Sequence, residues 1–137
     1  MTPMNRIYWD SCIFIYYLEG SEDVRLKLRA QLLATPNAVL CHTALTELEC
    51  RVEPMRNNKY DLLNQYDRLF TSPMTRRLVL DDAVYRRATE LRAAQRLKTP
   101  DALHLAAAIG QGCDSFWTRD NRLAQAAAGH IQLIVPV

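Results

Sequence analysis

The chain has 137 residues, 49% hydrophobic and 23% charged, enough for one domain that buries its own core without disulfide staples. No apolar run approaches membrane-spanning length, and the first residues lack a charged-then-apolar signal pattern, so the cytoplasm is the expected compartment and no membrane is an expected partner. A net charge of +2 says little, but 14 of the 17 basic residues are arginine, whose forked guanidinium suits phosphates or an acidic partner surface.

The opening stretch Arg6–Gly20 (RIYWDSCIFIYYLEG) holds two apolar runs around one acid. The first, Ile7 to Trp9, has the length of a buried strand; the second, opening at Ser11 and closing at Glu19-Gly20, suits a helix of about two turns. Asp10 sits between them, where open α/β sheets bind ligands. Ser21–Thr35 reads as an amphipathic helix capped by Ser21, with Glu22 and Asp23 in its first turn. Pro36-Asn37 breaks it before a second strand, Ala38–Cys41. Thr43 then caps a helix, ALTELECRV, which Pro54 is expected to stop.

Met55–Asn58 reads as a polar connection and Lys59–Phe70 as another amphipathic helix. Arg77–Leu80 (RLVL) is the expected third strand, and Asp81-Asp82 caps the helix AVYRRATELRAAQRL. Thr99-Pro100-Asp101 opens ALHLAAAIG, whose small apolar surface marks a helix buried against a sheet. Ser115–Thr118 is a fourth strand, Asp120 starts the helix NRLAQAAA, and Ile131–Val135 is a fifth strand. Strands alternating with helices predict a three-layer α/β/α sandwich around a five-stranded parallel sheet, one domain over residues 1–137. The four cysteines (12, 41, 50 and 113) lie in or beside apolar runs without a C-x-x-C pair, so they read as small buried side chains.

Four acids stand at or near strand-to-helix junctions: Asp10, Glu47, Asp101 and Asp120. Each alone has an ordinary explanation as a helix cap, a dipole partner or a solvated mid-helix glutamate. Together they differ, because a parallel sheet brings all such junctions to one edge. Two carboxylates about 4 Å apart repel by roughly 4 kcal/mol at an effective dielectric near 20, so several need a cation or a retained proton. Hard oxygen donors without a His-Cys set point to Mg²⁺ or Mn²⁺. Asp81-Asp82 also follows a strand but is explained by capping. Glu49 shares a helix with Glu47, and at about 100° per residue only one of the two can face the pocket; the expectation is Glu47. His104, three residues after Asp101, shares its helix face and reads as a packed histidine, a support for the site or a phosphate contact.

The strand-Asp followed by IYYLEG, the T-x-x-x-E-L segment Thr43–Leu48, PDALHLAAA (Pro100–Ala108) and T-x-D (Thr118–Asp120) together resemble a PIN domain over essentially the whole chain. The size is similar to that of VapC-like toxin ribonucleases of toxin–antitoxin pairs. The resemblance implies a metal-dependent endoribonuclease with Asp10, Glu47, Asp101 and Asp120 as catalytic and metal-holding residues and Thr118 as a support. It further implies 5′-phosphate products, a homodimer and an inhibiting antitoxin. Ser11-Cys12 after Asp10 departs from the usual pattern, with Ser11 placed beside the site as a second support. Arg119 and Arg122, flanking Asp120, are the expected RNA contacts.

Other readings stay open at this stage: an RNA-processing nuclease outside a toxin–antitoxin pair, or a PIN-like module that binds without cutting. A haloacid-type phosphatase needs an aspartate at position 12, which is Cys; a receiver domain needs a lysine near Thr118-Arg119. The broad apolar faces of the amphipathic helices at Ser21–Thr35 and Lys59–Phe70 either pack into the core or form a dimer or antitoxin groove, with Leu63 and Tyr66 as its test positions.

Overall fold

The computed structural model describes residues 3–137. In chain order the elements are β1 (Asn5–Trp9), α1 (Ser11–Glu19), α2 (Glu22–Leu33), β2 (Ala38–His42), α3 (Ala44–Arg56), α4 (Tyr60–Phe70), β3 (Thr75–Arg77), α5 (Asp82–Ala94), α6 (Thr99–Gly110), β4 (Ser115–Trp117), α7 (Asn121–Ala127) and β5 (Gln132–Ile134). The five strands form one parallel sheet in the order β3-β2-β1-β4-β5. That order runs one way from β1 to β3 and the other way from β1 to β5. The reversal opens a crevice beyond the C-terminal ends of β1 and β4, the place where such sheets bind ligands.

Strand periodicity divides the core. Ile7, Trp9, Leu40 and Trp117 point to one face, where they meet Ile13 and Phe14 of α1, Leu28 of α2 and Tyr66 of α4. Tyr8, Cys41 and Phe116 point to the other, covered by α5, α6 and α7. Side chains alternate across a strand, so a one-residue slip would exchange the two sets. α6 is apolar nearly all round, with Ala102, Leu105, Ala106, Ala107 and Ala108 all buried without exposed surface. Its alanines let its backbone lie close to the sheet. Each Leu or Phe that is fully buried in these layers stabilises the fold by about 1.5–3 kcal/mol.

The caps follow the sequence in three places. The Ser21 hydroxyl accepts from the Val24 N–H, the Asp81 carboxylate from that of Val84, and the Asp120 carboxylate from those of Arg122 and Leu123.

Four expectations need correction. Pro54 does not stop α3, which continues to Arg56. A proline removes one N–H from the ladder, and here its ring is buried while the Asn57 N–H still closes the last turn on the Glu53 carbonyl. The third strand is Thr75–Arg77 rather than the apolar RLVL, because it is these residues that pair with Leu40, Cys41 and His42. This edge strand carries arginines outward, and the chain leaves the sheet after the Leu78 N–H bonds the His42 carbonyl at 2.7 Å. α6 begins at Thr99 with Lys98 as its cap, whereas the sequence pattern reads Thr99 as the cap and Pro100 as the first helical residue. Finally, Tyr66 is no surface residue: it is wholly buried and its hydroxyl donates to the Glu19 carboxylate. The exposed apolar stripe lies instead on α3, at Leu48, Val52 and Met55.

Candidate active site

The crevice is built outward from Asp10. This residue ends β1, is 7% exposed, and its N–H bonds the Trp117 carbonyl at 3.0 Å, which fixes it against β4. One carboxylate oxygen, Oδ1, caps α1 through the Ser11 N–H at 2.8 Å. The other, Oδ2, accepts from the Thr118 hydroxyl at 2.9 Å and from the Cys12 thiol at 3.4 Å. Burial first, and the neighbouring Asp10 charge second, push the Cys12 thiol up to about 12, so it stays a donor. Thr118 in turn accepts from the Asp120 N–H at 3.0 Å. Asp120 uses Oδ1 to cap α7, which leaves Oδ2 without a hydrogen-bond partner among the described residues.

Asp101 is half-buried in the first turn of α6 and has no hydrogen-bond or ion-pair partner among the described residues. Its carboxyl is held above the usual value, by burial first and then by the negative charges of Asp10, Asp120 and Glu49. Asp101 is thus the acid on which the charges of the other three act.

Glu47 is not among them. Its Oε2 lies 3.2 Å from Arg77 Nε and 3.2 Å from His42 Nε2, toward the β3 edge. His42 is fully buried against Phe14 and Phe70, and burial lowers its basicity, so Arg77 is the charged partner. The acid of α3 that faces the crevice is Glu49. Its Oε1 accepts from the Ser11 hydroxyl at 2.7 Å and lies 2.5 Å from His104 Nε2. Burial alone would raise the Glu49 carboxyl, but the hydrogen bonds from His104 and Ser11 outweigh it and hold it below its ordinary value. Thr46, Cys50 and Pro54 form the buried stripe of α3, and at about 100° per residue Glu47 and Glu49 flank it on opposite sides, so the two face different edges of the helix.

The donor set suits a hard cation, since Asp10, Asp101 and Asp120 have no basic partner among the described residues. It is not a closed cage: among the described residues no three His, Cys, Asp or Glu side chains group closely enough to hold a metal as they stand. Mg²⁺ fits such an open set, because it keeps several waters and takes one or two carboxylates together with substrate phosphates.

A cleft of about 290 Å³ opens beside Asp101 and Asp120, walled by Arg96, Lys98 and Arg122. A second cleft of about 470 Å³ continues from it past Arg96, Arg122 and Gln125. Arg119 points elsewhere, with its guanidinium 5.1 Å from the centre of the Tyr16 ring. Arg96 and Lys98, on the connection between α5 and α6, are thus positive groups that reading from Asp120 alone does not find.

Fold and site together define a parallel α/β domain with an acidic pocket at its switch point. The PIN domain family model matches residues 7–129, and the chain belongs to that family, whose members are generally nucleases. Solved structures with this fold include a toxin–antitoxin complex from Klebsiella pneumoniae, at 21% identity and TM-score 0.74 over 96% of this chain and 98% of that one. They also include FitAcB from Neisseria gonorrhoeae, at 20% identity and TM-score 0.75 over 95% and 97% of the two chains. A third is VapC20 from Mycobacterium tuberculosis, a toxin that cleaves the sarcin-ricin loop, at 15% identity and TM-score 0.71 over 92% and 97%. Among curated proteins, none matches the sequence. No helix among the described residues is long and apolar enough to cross a membrane.

Proposed function

We propose that this protein is a Mg²⁺- or Mn²⁺-dependent endoribonuclease, the toxin of a toxin–antitoxin pair, with Asp10, Glu49, Asp101 and Asp120 as its acidic centre. The observation that supports the reading is that Asp101 lies under the charges of Asp10, Asp120 and Glu49, acids of separate elements of a PIN sheet, and that Asp10, Asp101 and Asp120 have no basic partner among the described residues. The antitoxin is supported by fold likeness to a chain of a toxin–antitoxin complex, and the homodimeric state rests on the family resemblance alone.

A bound divalent cation would supply Lewis-acid polarisation of a phosphate oxygen and a water of lowered pKa. The residues do the rest. Asp10 has both oxygens on donors, which holds its carboxylate in one orientation. Asp120 offers its uncommitted oxygen, and Asp101, crowded by like charge, gains most from a cation. Arg96, Lys98 and Arg122 take the RNA backbone along the cleft, which holds the phosphodiester against the acids. Hydrolysis then leaves 5′-phosphate and 3′-hydroxyl ends.

The test is RNA cleavage by purified protein carrying Asp10→Asn, Glu49→Gln or Asp101→Asn, with Glu47→Gln beside them. Loss in the first three with retention in the fourth is expected. Undiminished cleavage in all of them, with contaminating nuclease excluded, removes the proposal.

A further inference from the structure

His104 links three of the acid-bearing elements. Its ring is 1% exposed and sits on α6, three residues past Asp101. Nε2 lies 2.5 Å from Glu49 Oε1 on α3, and Nδ1 lies 2.6 Å from the Tyr8 hydroxyl on β1, the strand that ends at Asp10. The Tyr8 hydroxyl reaches on to Thr43 Oγ1 at 3.4 Å and Thr46 Oγ1 at 3.5 Å, the two threonines of the first turn of α3. Tyr8 is itself fixed by stacking on Phe116 of β4, with ring centroids 5.5 Å apart and planes 6° from parallel.

The protons follow from the acceptors. An ionised carboxylate can only accept, so His104 Nε2 must carry the hydrogen it shares with Glu49, and Ser11 directs its hydroxyl at the same oxygen. Nδ1 lies 2.6 Å from the Tyr8 hydroxyl and shares the second hydrogen bond with it. Turning the imidazole would break both bonds and leave buried polar groups unpaired. A histidine serving only to fill the core would not need both ring nitrogens matched to partners on two other elements.

We propose that His104, braced by Tyr8, is a positioning residue that holds the Glu49 carboxylate in the acid pocket. This rests on the reading of the pocket as a cation site. Partners of this kind around a metal ligand typically change metal affinity by about 10-fold to 100-fold when lost.

The experiment is Mn²⁺ titration of the whole purified protein by electron paramagnetic resonance, with kcat and KM measured alongside. The amide of a glutamine at position 104 reaches toward the site of Nε2, and that of an asparagine toward Nδ1. His104→Asn is therefore expected to weaken Mn²⁺ by about 10-fold or more and to lower kcat with little change in KM, while His104→Gln retains most of the affinity. In a Glu49→Gln background His104→Asn is expected to have no further effect on Mn²⁺ binding. Tyr8→Phe, which keeps the ring stack, weakens Mn²⁺ in the same direction. Wild-type Mn²⁺ affinity in a folded His104→Asn protein, or an equal additional loss in the Glu49→Gln background, overturns the role. If His104→Asn does not fold, Tyr8→Phe decides, and wild-type affinity there overturns it. Absence of Mn²⁺ binding by the wild-type protein sinks the pocket reading itself, a result distinct from wild-type binding that ignores His104.

Discussion

Thr118 donates its hydroxyl to Asp10 Oδ2 at 2.9 Å while accepting the Asp120 N–H at 3.0 Å, so one side chain joins the acids that follow β1 and β4. Thr118 has no exposed surface. Thr118→Val keeps the shape and removes the hydroxyl, leaving a buried carboxylate oxygen and a backbone N–H short of a partner. The expected cost is about 1–3 kcal/mol by urea denaturation, with RNA cleavage lowered as well. Thr118→Ser should recover most of both, and a neutral Thr118→Val would show that the hydroxyl does not organise Asp10.

Glu47 and Glu49 give a second comparison on one helix. Glu47 meets Arg77, whose side chain is 60% exposed, and an exposed pair of that kind is worth about 0–1 kcal/mol. Glu47→Gln should therefore leave cleavage within about fivefold of wild type. Glu49→Gln should lower it by at least about 10-fold. The reverse ranking, read from initial rates on one RNA substrate, would return the role to Glu47.

The two perturbed acids should act on metal-free stability with opposite signs. Asp101 is raised, so the folded state holds its proton more tightly than the unfolded chain does. Its contribution is favourable at low pH and is lost as pH rises from about 3.9 through the folded value. Asp101→Asn should raise the metal-free Tm at pH 7, and the gain should vanish near pH 3. Glu49 is lowered, so its stabilisation is present above about 4.3 and disappears as pH falls through the folded value. Glu49→Gln should thus lower the metal-free Tm at pH 7.

Mn²⁺ should then reverse the ranking of Asp101→Asn. Wild-type protein at a cation concentration of 100 times Kd gains about 2.7 kcal/mol, and Asp101→Asn should gain much less. Thermal melts with and without Mn²⁺ read both effects, and equal Mn²⁺ shifts in the two proteins would remove Asp101 from the site.

Along the cleft, Arg96→Ala and Arg122→Ala should each reduce the slope of log K against log salt for single-stranded RNA by about 0.7. Arg119 is occupied by the Tyr16 ring, so Arg119→Ala should change that slope less. Fluorescence anisotropy at several salt concentrations measures all three.

The sheet, its parallel sense and its covering helices were legible because they rest on period and punctuation: Ile7 to Trp9 before Asp10, Ser21 and Asp81 as caps, alanines along α6. The third strand was misplaced because RLVL has the apolar look of a strand, whereas pairing at a sheet edge is decided by backbone register and places Thr75–Arg77 there. The same limit produced Glu47. Helix periodicity gives the angle between Glu47 and Glu49 but not which way the helix faces. The apolar stripe Leu48, Val52 and Met55, 62%, 46% and 57% exposed, looks like core and lies on the surface. The side buried in the protein is marked by the less conspicuous Thr46 and Cys50. His104 and Tyr8 could be placed on their elements from sequence, but that they touch depends on β1 and α6 coming together from 96 residues apart.

The crossover that puts β4 beside β1 also sets when the pocket can exist during synthesis. Asp10 is anchored by Trp117 and Thr118, residues more than a hundred positions downstream, and Asp120 follows them. A nascent chain that has reached only α6 already carries Asp10, Glu49 and Asp101, yet the first of them still lacks the Trp117 and Thr118 contacts that fix it against β4. On the nuclease reading, the pocket is complete only once the penultimate strand has emerged and docked.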